Sequence, residues 1–261
     1  MLPARPRRRD PAGRRPPRDT MPAMNEISVI SIGATSYNEL WGERQPIRTG
    51  HATTTLIRAG EALILIDPGL PPTALASRLH ERTGLRPDAV THVFLTSFRL
   101  DTRRGLELFD GAEWLISALE RETVGLPLAS DLKRLAEAGQ LADDADDESR
   151  QIGRRLQRDV ALLQKCRPAP DSLAPGVDLF PLPGVTPGMT GILIPSSRGD
   201  TLVCGDAVPT AGHVERGQAP LRCQNPEAAR ESLREAIEVA DLLIPGRDNL
   251  MLNPVRRFGG I

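Results

Sequence analysis

One strand-to-loop segment near the middle of the chain constrains the fold more than any other part of the sequence. Residues 90–96 read Val-Thr-His-Val-Phe-Leu-Thr, a run rich in β-branched and aromatic residues that predicts a buried strand. A polar loop with Asp101 follows, and Gly105 then fits a strand-to-helix turn. Because α/β proteins commonly bind ligands at the carboxyl ends of strands, this loop is the first candidate for a functional site.

Four further segments share this pattern of an apolar strand that ends in a turn. Residues 62–69 end in Asp-Pro-Gly, and residues 182–191 contain Pro-Gly-Val-Thr-Pro-Gly. Residues 201–207 end in Gly-Asp-Ala, and residues 242–248 end in Pro-Gly-Arg-Asp. A chain of 261 residues suits one α/β domain that holds all five segments.

These five segments, in this order, resemble the metallo-β-lactamase superfamily. That family carries a strand ending in Asp-x-Gly, a Thr-His-x-His-x-Asp-His loop and a Pro-Gly-His-Thr-Pro-Gly segment, then a Gly-Asp and a late Pro-Gly-His. The resemblance extends over about residues 50–250. It implies an α/β fold of the metallo-β-lactamase type, an αββα four-layer sandwich with two mixed sheets between helix layers.

The resemblance also implies where the family's metal ligands would lie, and all five histidine positions hold other residues. In chain order they hold Ser97, Arg99, Thr102, Val185 and Arg247. The two carboxylate ligands remain as Asp101 and Asp206. Asp67 matches the Asp at the end of the family's strand, which is usually a supporting residue. We name these eight residues, together with His51 and His213, as the candidate pocket, with Asp101 and Asp206 as the candidate catalytic groups.

The residues at the ligand positions are poorly suited to zinc. A catalytic zinc needs about three protein donors and one open position for water. Ser97 and Thr102 are poor ligands, and Val185 cannot ligate. An arginine stays protonated, has no lone pair to donate and repels a cation. We therefore predict no metal ligands and no cofactor, although the family uses zinc.

The four histidines offer one alternative. None forms a His-x-His or His-x₃-His pair. His80 and His92 are interpreted as ordinary surface or core residues, whereas the resemblance places His51 and His213 near the pocket rim. A rebuilt site would combine Asp101 and Asp206 with one of these two histidines.

The arginines suggest a different arrangement for the same pocket. Two buried carboxylates without a cation would repel, and at least one would tend to keep its proton. We expect Arg99 and Arg247 to pair with Asp101 and Asp206 and to hold the loops together. In the alternative interpretation both arginines point to solvent.

Residues 1–24 differ from the rest of the chain. The first 20 residues carry seven arginines and two aspartates, a charge of +5, which leaves −6 for the remainder. Because this segment is rich in Pro and Arg and has few apolar residues, it is predicted to be disordered. It is interpreted either as an over-extended start of translation or as a basic tail that touches nucleic acid. The acidic remainder argues against a broad phosphate-binding surface.

The other predictions concern residues 25–261, which we expect to form a single metallo-β-lactamase-like domain. Its apolar spacing predicts a helical-hairpin insertion at about residues 127–168, for core packing or as a partner surface. No apolar run approaches the ~20 residues of a membrane helix. Three cysteines without Cys-x-x-Cys spacing suit reduced thiols, and we expect a cytoplasmic protein.

Two functions remain open on the sequence. The first is a pseudoenzyme that has lost metal-dependent hydrolysis and binds a small anionic ligand through Arg99 and Arg247, or has a structural or interaction role. The second is a metallo-hydrolase with a rebuilt or single-metal site, acting on an ester, thioester or lactone-type substrate. Nothing in the sequence predicts the oligomeric state.

Overall fold

The computed structural model describes residues 25–138 and 146–255. The predicted disorder of residues 1–24 lies outside the described residues, as do residues 139–145 of the predicted helical hairpin.

Two six-stranded sheets form the framework. The strands of the first sheet are β1 (Glu26–Ser31), β2 (Thr54–Ala59), β3 (Ala62–Ile66), β4 (His92–Leu95), β5 (Glu113–Ile116) and β6 (Arg167–Pro168). They lie in the order β1 to β6, antiparallel from β1 to β3 and parallel from β3 to β6. The strands of the second sheet are β7 (Ser172–Ala174), β8 (Val177–Pro181), β9 (Thr190–Ile194), β10 (Thr201–Gly205), β11 (Leu242–Pro245) and β12 (Met251–Leu252). They lie in the order β12 to β7 and are antiparallel except between β10 and β11.

Successive side chains of the central strands enter different apolar clusters, which explains why these strands are apolar throughout. In β4, Phe94 packs between the two sheets, whereas Val93 packs on the outer face of the first sheet. In β10, Val203 enters the layer between the sheets, and Leu202 and Cys204 pack on the outer face of the second. Because strand side chains alternate between faces, both faces of each sheet are covered. The predicted αββα arrangement of two mixed sheets is confirmed.

Within residues 25–138 and 146–255, six α-helices complete the layers. They are α1 (Pro72–Thr83), α2 (Leu100–Arg103), α3 (Ala118–Glu137), α4 (Asp147–Lys165), α5 (Ala211–Arg216) and α6 (Pro226–Val239). Pro72 lies at the start of α1, and Gly84 adopts the left-handed conformation after its end. In α6 the Asn225 side chain accepts from two backbone N–H groups. No helix within the described ranges is long and apolar enough to cross a membrane.

The helical hairpin begins earlier than the sequence suggested. We predicted a start near Pro127, but α3 begins at Ala118 and Pro127 lies inside it. The actual start is set by Ser117, whose Oγ accepts from the Glu120 N–H at 3.1 Å. Leu162 and Leu163 of α4 enter the outer core of the first sheet. Ile152, near the start of α4, is exposed.

Candidate functional site

Loops from the two sheets meet at one edge of the sandwich and are connected by backbone hydrogen bonds. The Ala52 N–H donates to the Asp101 carbonyl at 2.8 Å, and the Thr53 N–H donates to the Gly246 carbonyl at 2.8 Å. Across the sheets, the Thr190 N–H donates to the Thr96 carbonyl at 3.1 Å. The loops after β4 and β11 are therefore held against the residues that precede β2 and begin β9, at the edge where this class of fold binds ligands.

Asp67 supports this edge from within the first sheet. Its carboxylate accepts from the Thr96 N–H at 2.9 Å and from Thr96 Oγ1 at 2.6 Å. Its backbone has a φ of 49°, a left-handed conformation that is uncommon outside glycine. Complete burial raises the pKa of Asp67 to about 7, even though both hydrogen bonds favour the ionised form.

Arg247 occupies the centre of the candidate site. Its side chain is buried, and it contacts Asp206 through two bonds, Nε to Oδ1 at 2.7 Å and Nη2 to Oδ2 at 2.5 Å. Its Nη1 lies 2.8 Å from Asp101 Oδ2, an ion pair without hydrogen-bond geometry. Gly246 permits this approach because a Cβ there would lie 2.7 Å from Asp206 Oδ1. One guanidinium thus joins both retained carboxylates.

Arg99 contacts the same carboxylates from the solvent side. Its Nη1 lies 3.2 Å from Asp206 Oδ2, and its Nε lies 3.8 Å from Asp101 Oδ1. The Arg99 side chain is 41% exposed, against 5% for that of Arg247. The ion pairs expected from the sequence are therefore present, but the two arginines differ in burial.

The close contact between Arg247 and Asp206 shifts the pKa values of both groups. Burial would raise the pKa of Asp206, but the adjacent Arg247, with a smaller effect of Arg99, outweighs burial and lowers that pKa below its usual value. Burial likewise disfavours the Arg247 cation, and the two carboxylates overcome this effect and raise its pKa. Both groups are therefore charged across the physiological pH range.

The other ligand positions of the family hold side chains engaged elsewhere or unable to ligate. Thr102 Oγ1 donates within its own loop and contacts the Ser97 and Arg99 carbonyls at 2.7 and 2.8 Å. Val185 packs in the apolar cluster outside the second sheet. The Ser97 hydroxyl is buried without a hydrogen-bond partner among the described residues.

Neither rim histidine completes a metal site with the two carboxylates. His213 is buried, with Nδ1 2.8 Å from Thr210 Oγ1 and Nε2 3.3 Å from Glu39 Oε1, so both ring nitrogens are engaged. Its burial lowers its pKa and favours the neutral ring. His51 Nε2 lies 3.1 Å from the Ile32 carbonyl. Over residues 25–138 and 146–255, no three His, Cys, Asp or Glu side chains form a group that could hold a metal ion.

The donor set therefore does not fit the zinc chemistry that the fold family implies. Where a metal would need neutral donors, Arg247 places a protonated guanidinium against Asp101 and Asp206.

Two groups of site residues were missed by the sequence analysis. Glu120 is buried in the first turn of α3, accepting from the Phe98 N–H at 2.9 Å and from Thr186 Oγ1 at 2.7 Å. Burial raises its pKa despite these bonds. The spacing of Ser117 and Glu120 marks a helix start, but it does not indicate that the Glu side chain turns to the site loops.

The second missed group forms the wall of an open cleft above Arg247. The cleft has a volume of about 130 Å³. Its lining includes Arg99, Asp101, Val185, Asp206, His213 and Arg247, joined by Tyr37, Glu39 and Arg222. The segment of Tyr37 and Glu39 lies far from the recognised motifs in sequence, so no local pattern indicated it.

Comparison with known protein families identifies the family of this chain. The family model of the metallo-beta-lactamase superfamily matches residues 47–246, and the chain belongs to that superfamily. The recognition made from the five segments is confirmed. No curated protein sequence matches the chain.

Solved structures show the same fold at low sequence identity. A Thermotoga maritima protein, provisionally assigned as a metallo-beta-lactamase, matches with a TM-score of 0.60 and 16% identity, over 88% of this chain and 100% of that one. AidC, a dizinc quorum-quenching lactonase, matches with a TM-score of 0.54 and 20% identity, over 72% and 67%. A quorum-quenching N-acyl homoserine lactone lactonase matches with a TM-score of 0.54 and 17% identity, over 84% and 88%. These similarities establish the fold only, because activity depends on the residues of the site and not on the fold.

Proposed function

We propose that this superfamily member has lost metal-dependent hydrolysis and acts as a pseudoenzyme whose pocket binds a small anionic ligand or supports an interaction. The observation that carries the proposal is the position of the Arg247 guanidinium, which contacts both retained carboxylates. A permanent cation there supplies the charge that a metal would supply. It offers no open coordination position for water, which metal-dependent hydrolysis requires.

The replaced residues support this proposal together. Restoring one histidine would still leave an arginine, a valine or a hydroxyl at the remaining positions. The buried bidentate pair between Arg247 and Asp206 is also a strong interaction, because charge-assisted bonds in fork geometry are short and specific. A metal would have to displace a guanidinium that the surrounding backbone already positions.

The alternative is a hydrolase of the same superfamily with a rebuilt or single-metal site. Two observations favour it. Lactonases are among the structural neighbours, and the Asp101 side chain is 25% exposed at the cleft. Ester, thioester and lactone substrates would be the classes to examine, with Asp101 and Asp206 as the acid–base groups or ligands.

An activity assay separates these two functions. The wild type is assayed on chromogenic esters, thioesters and lactones, with added zinc or manganese and with a chelator. The Asp101→Ala and Asp206→Ala variants are assayed beside it. We expect only background hydrolysis, unchanged by the chelator or by either substitution. Chelator-sensitive turnover that either substitution abolishes would establish the alternative.

A further inference from the structure

The mouth of the cleft contains an arginine without an acidic partner. Arg222 is exposed, and its guanidinium lies over the Tyr37 ring, 4.4 Å from the ring centroid. No carboxylate within the described ranges forms a salt bridge with it. Arg99 completes the group, because it lines the same cleft as Tyr37 and Arg222. Besides Arg247 at its base, two guanidinium groups and one phenol thus line a single small cleft.

The carboxylates of the cleft lining already have cationic or N–H partners. Arg247 pairs with Asp101 and Asp206, and Arg99 lies 3.8 and 3.2 Å from the same two carboxylates. The third, Glu39, accepts from the Leu221 N–H at 2.8 Å and lies 3.3 Å from His213 Nε2. Arg222 and Arg99 keep unused donors, since a guanidinium has five N–H groups and no acceptor, and Arg99 faces the carboxylates only through Nη1 and Nε. An incoming ligand must supply acceptor oxygens.

The geometry points to a binding site for a small oxyanion, a carboxylate or phosphate group, held between Arg99 and Arg222 with the Tyr37 hydroxyl as a third donor. Planar guanidinium forks match both kinds of oxyanion through paired bonds. The inference rests on the proposed function, because it needs the Arg247 guanidinium to be paired with Asp101 and Asp206, so that N–H groups of Arg99 remain for a ligand. It also changes the hypothesis drawn from the sequence, in which Arg99 and Arg247 bind the anion. Arg222 now replaces Arg247 as the second arginine that contacts the ligand.

The size of the cleft narrows the ligand class. Its volume of about 130 Å³ is well below the ~300–1,000 Å³ of pockets that enclose drug-sized ligands. A compact anion or the anionic head of a larger molecule fits this space. Because the mouth is open, the rest of a larger ligand would extend into solvent.

Calorimetric titration of the full chain tests the site. Inorganic phosphate and acetate are titrated separately, at an ionic strength held constant with sodium chloride, so that screening does not change. We expect saturable one-to-one binding of at least one of them to the wild type. Because bonds to charged groups are strong, Arg99→Gln and Arg222→Gln should each weaken that binding at least about tenfold. The comparison of phosphate with acetate identifies the preferred oxyanion.

Arg198→Gln is the matched control. Arg198 is exposed in the turn after β9, beyond the strand end opposite the site, and its substitution removes the same charge. Binding should be unchanged in this variant. Absence of saturable binding by the wild type, or equal weakening by Arg198→Gln and Arg222→Gln, would overturn the inference. Stoichiometric zinc uptake by the same preparation would instead contradict the proposed function, which separates the two failures.

Discussion

At the scale of single residues, Arg247 and Arg99 illustrate how burial decides the energy of an ion pair. Both contact Asp101 and Asp206, but only Arg247 is removed from water. Exposed pairs contribute little because water and salt screen them, and each partner loses side-chain entropy. A buried pair behaves differently, because removal of one partner leaves a charge without compensation.

Replacement of the two arginines should therefore have unequal effects on stability. Arg247→Ala is expected to lower the free energy of unfolding by about 3–5 kcal/mol, because Asp206 would be left buried with only Arg99 nearby. Arg99→Ala should cost about 1 kcal/mol or less. Urea denaturation at neutral pH measures both. Equal losses would show that burial of Arg247 does not strengthen its ion pairs.

Asp67 should make stability depend on pH in the opposite sense to a salt-bridged carboxylate. Its pKa is about 7 in the folded chain and near 3.8 when unfolded, so ionisation opposes folding. The cost is absent below about pH 4, grows as the pH rises to about 7 and is then constant, reaching roughly 4 kcal/mol at most. The stability of the wild type relative to Asp67→Asn should fall across that interval. A difference independent of pH would contradict this account.

At the scale of elements, the start of α3 and the two site loops depend on one another. Glu120 connects the Phe98 N–H of one loop to the Thr186 hydroxyl of another. Gly188 lies so close to α3 that a Cβ would be 2.0 Å from the Glu120 N atom. The local sequence predicts a helix near this point, but only the tertiary structure shows that its first turn fixes the site loops.

Glu120→Ala should accordingly destabilise the protein more than an ordinary helix substitution. It leaves a buried N–H and a buried hydroxyl without their acceptor, and each unsatisfied group costs about 1–3 kcal/mol. Glu122→Ala is the matched control, because Glu122 is exposed in the same helix. Its effect should stay within about 0.5 kcal/mol. Chemical denaturation of both variants makes the comparison, and similar losses would show that the Glu120 bonds do not hold the loops.

At the scale of the whole molecule, the sequence predicted the fold well because its strands carry local signals. The strand ends at Ile66, Gly205 and Pro245 lie where the apolar runs indicated. The start of α3 was predicted wrongly, since Pro127 resembles a first helical residue but lies within the helix.

The candidate site was predictable only where its residues lie in the recognised segments. Asp206 and Arg247 follow adjacent parallel strands, so their proximity could be expected from the order of the elements. Tyr37 and Arg222 come from loops outside those segments and meet only through tertiary packing. The burial that distinguishes Arg247 from Arg99 also depends on the complete fold.

We propose that the Arg247 guanidinium takes the place of a metal cation between Asp101 and Asp206. Native mass spectrometry of the untagged chain after zinc loading and removal of free metal tests it most directly. A dizinc relative of this fold serves as the positive control, and manganese loading is measured in parallel. The account predicts a mass equal to that of the metal-free chain. A stoichiometric zinc or manganese adduct that disappears in Asp101→Ala or Asp206→Ala would contradict it.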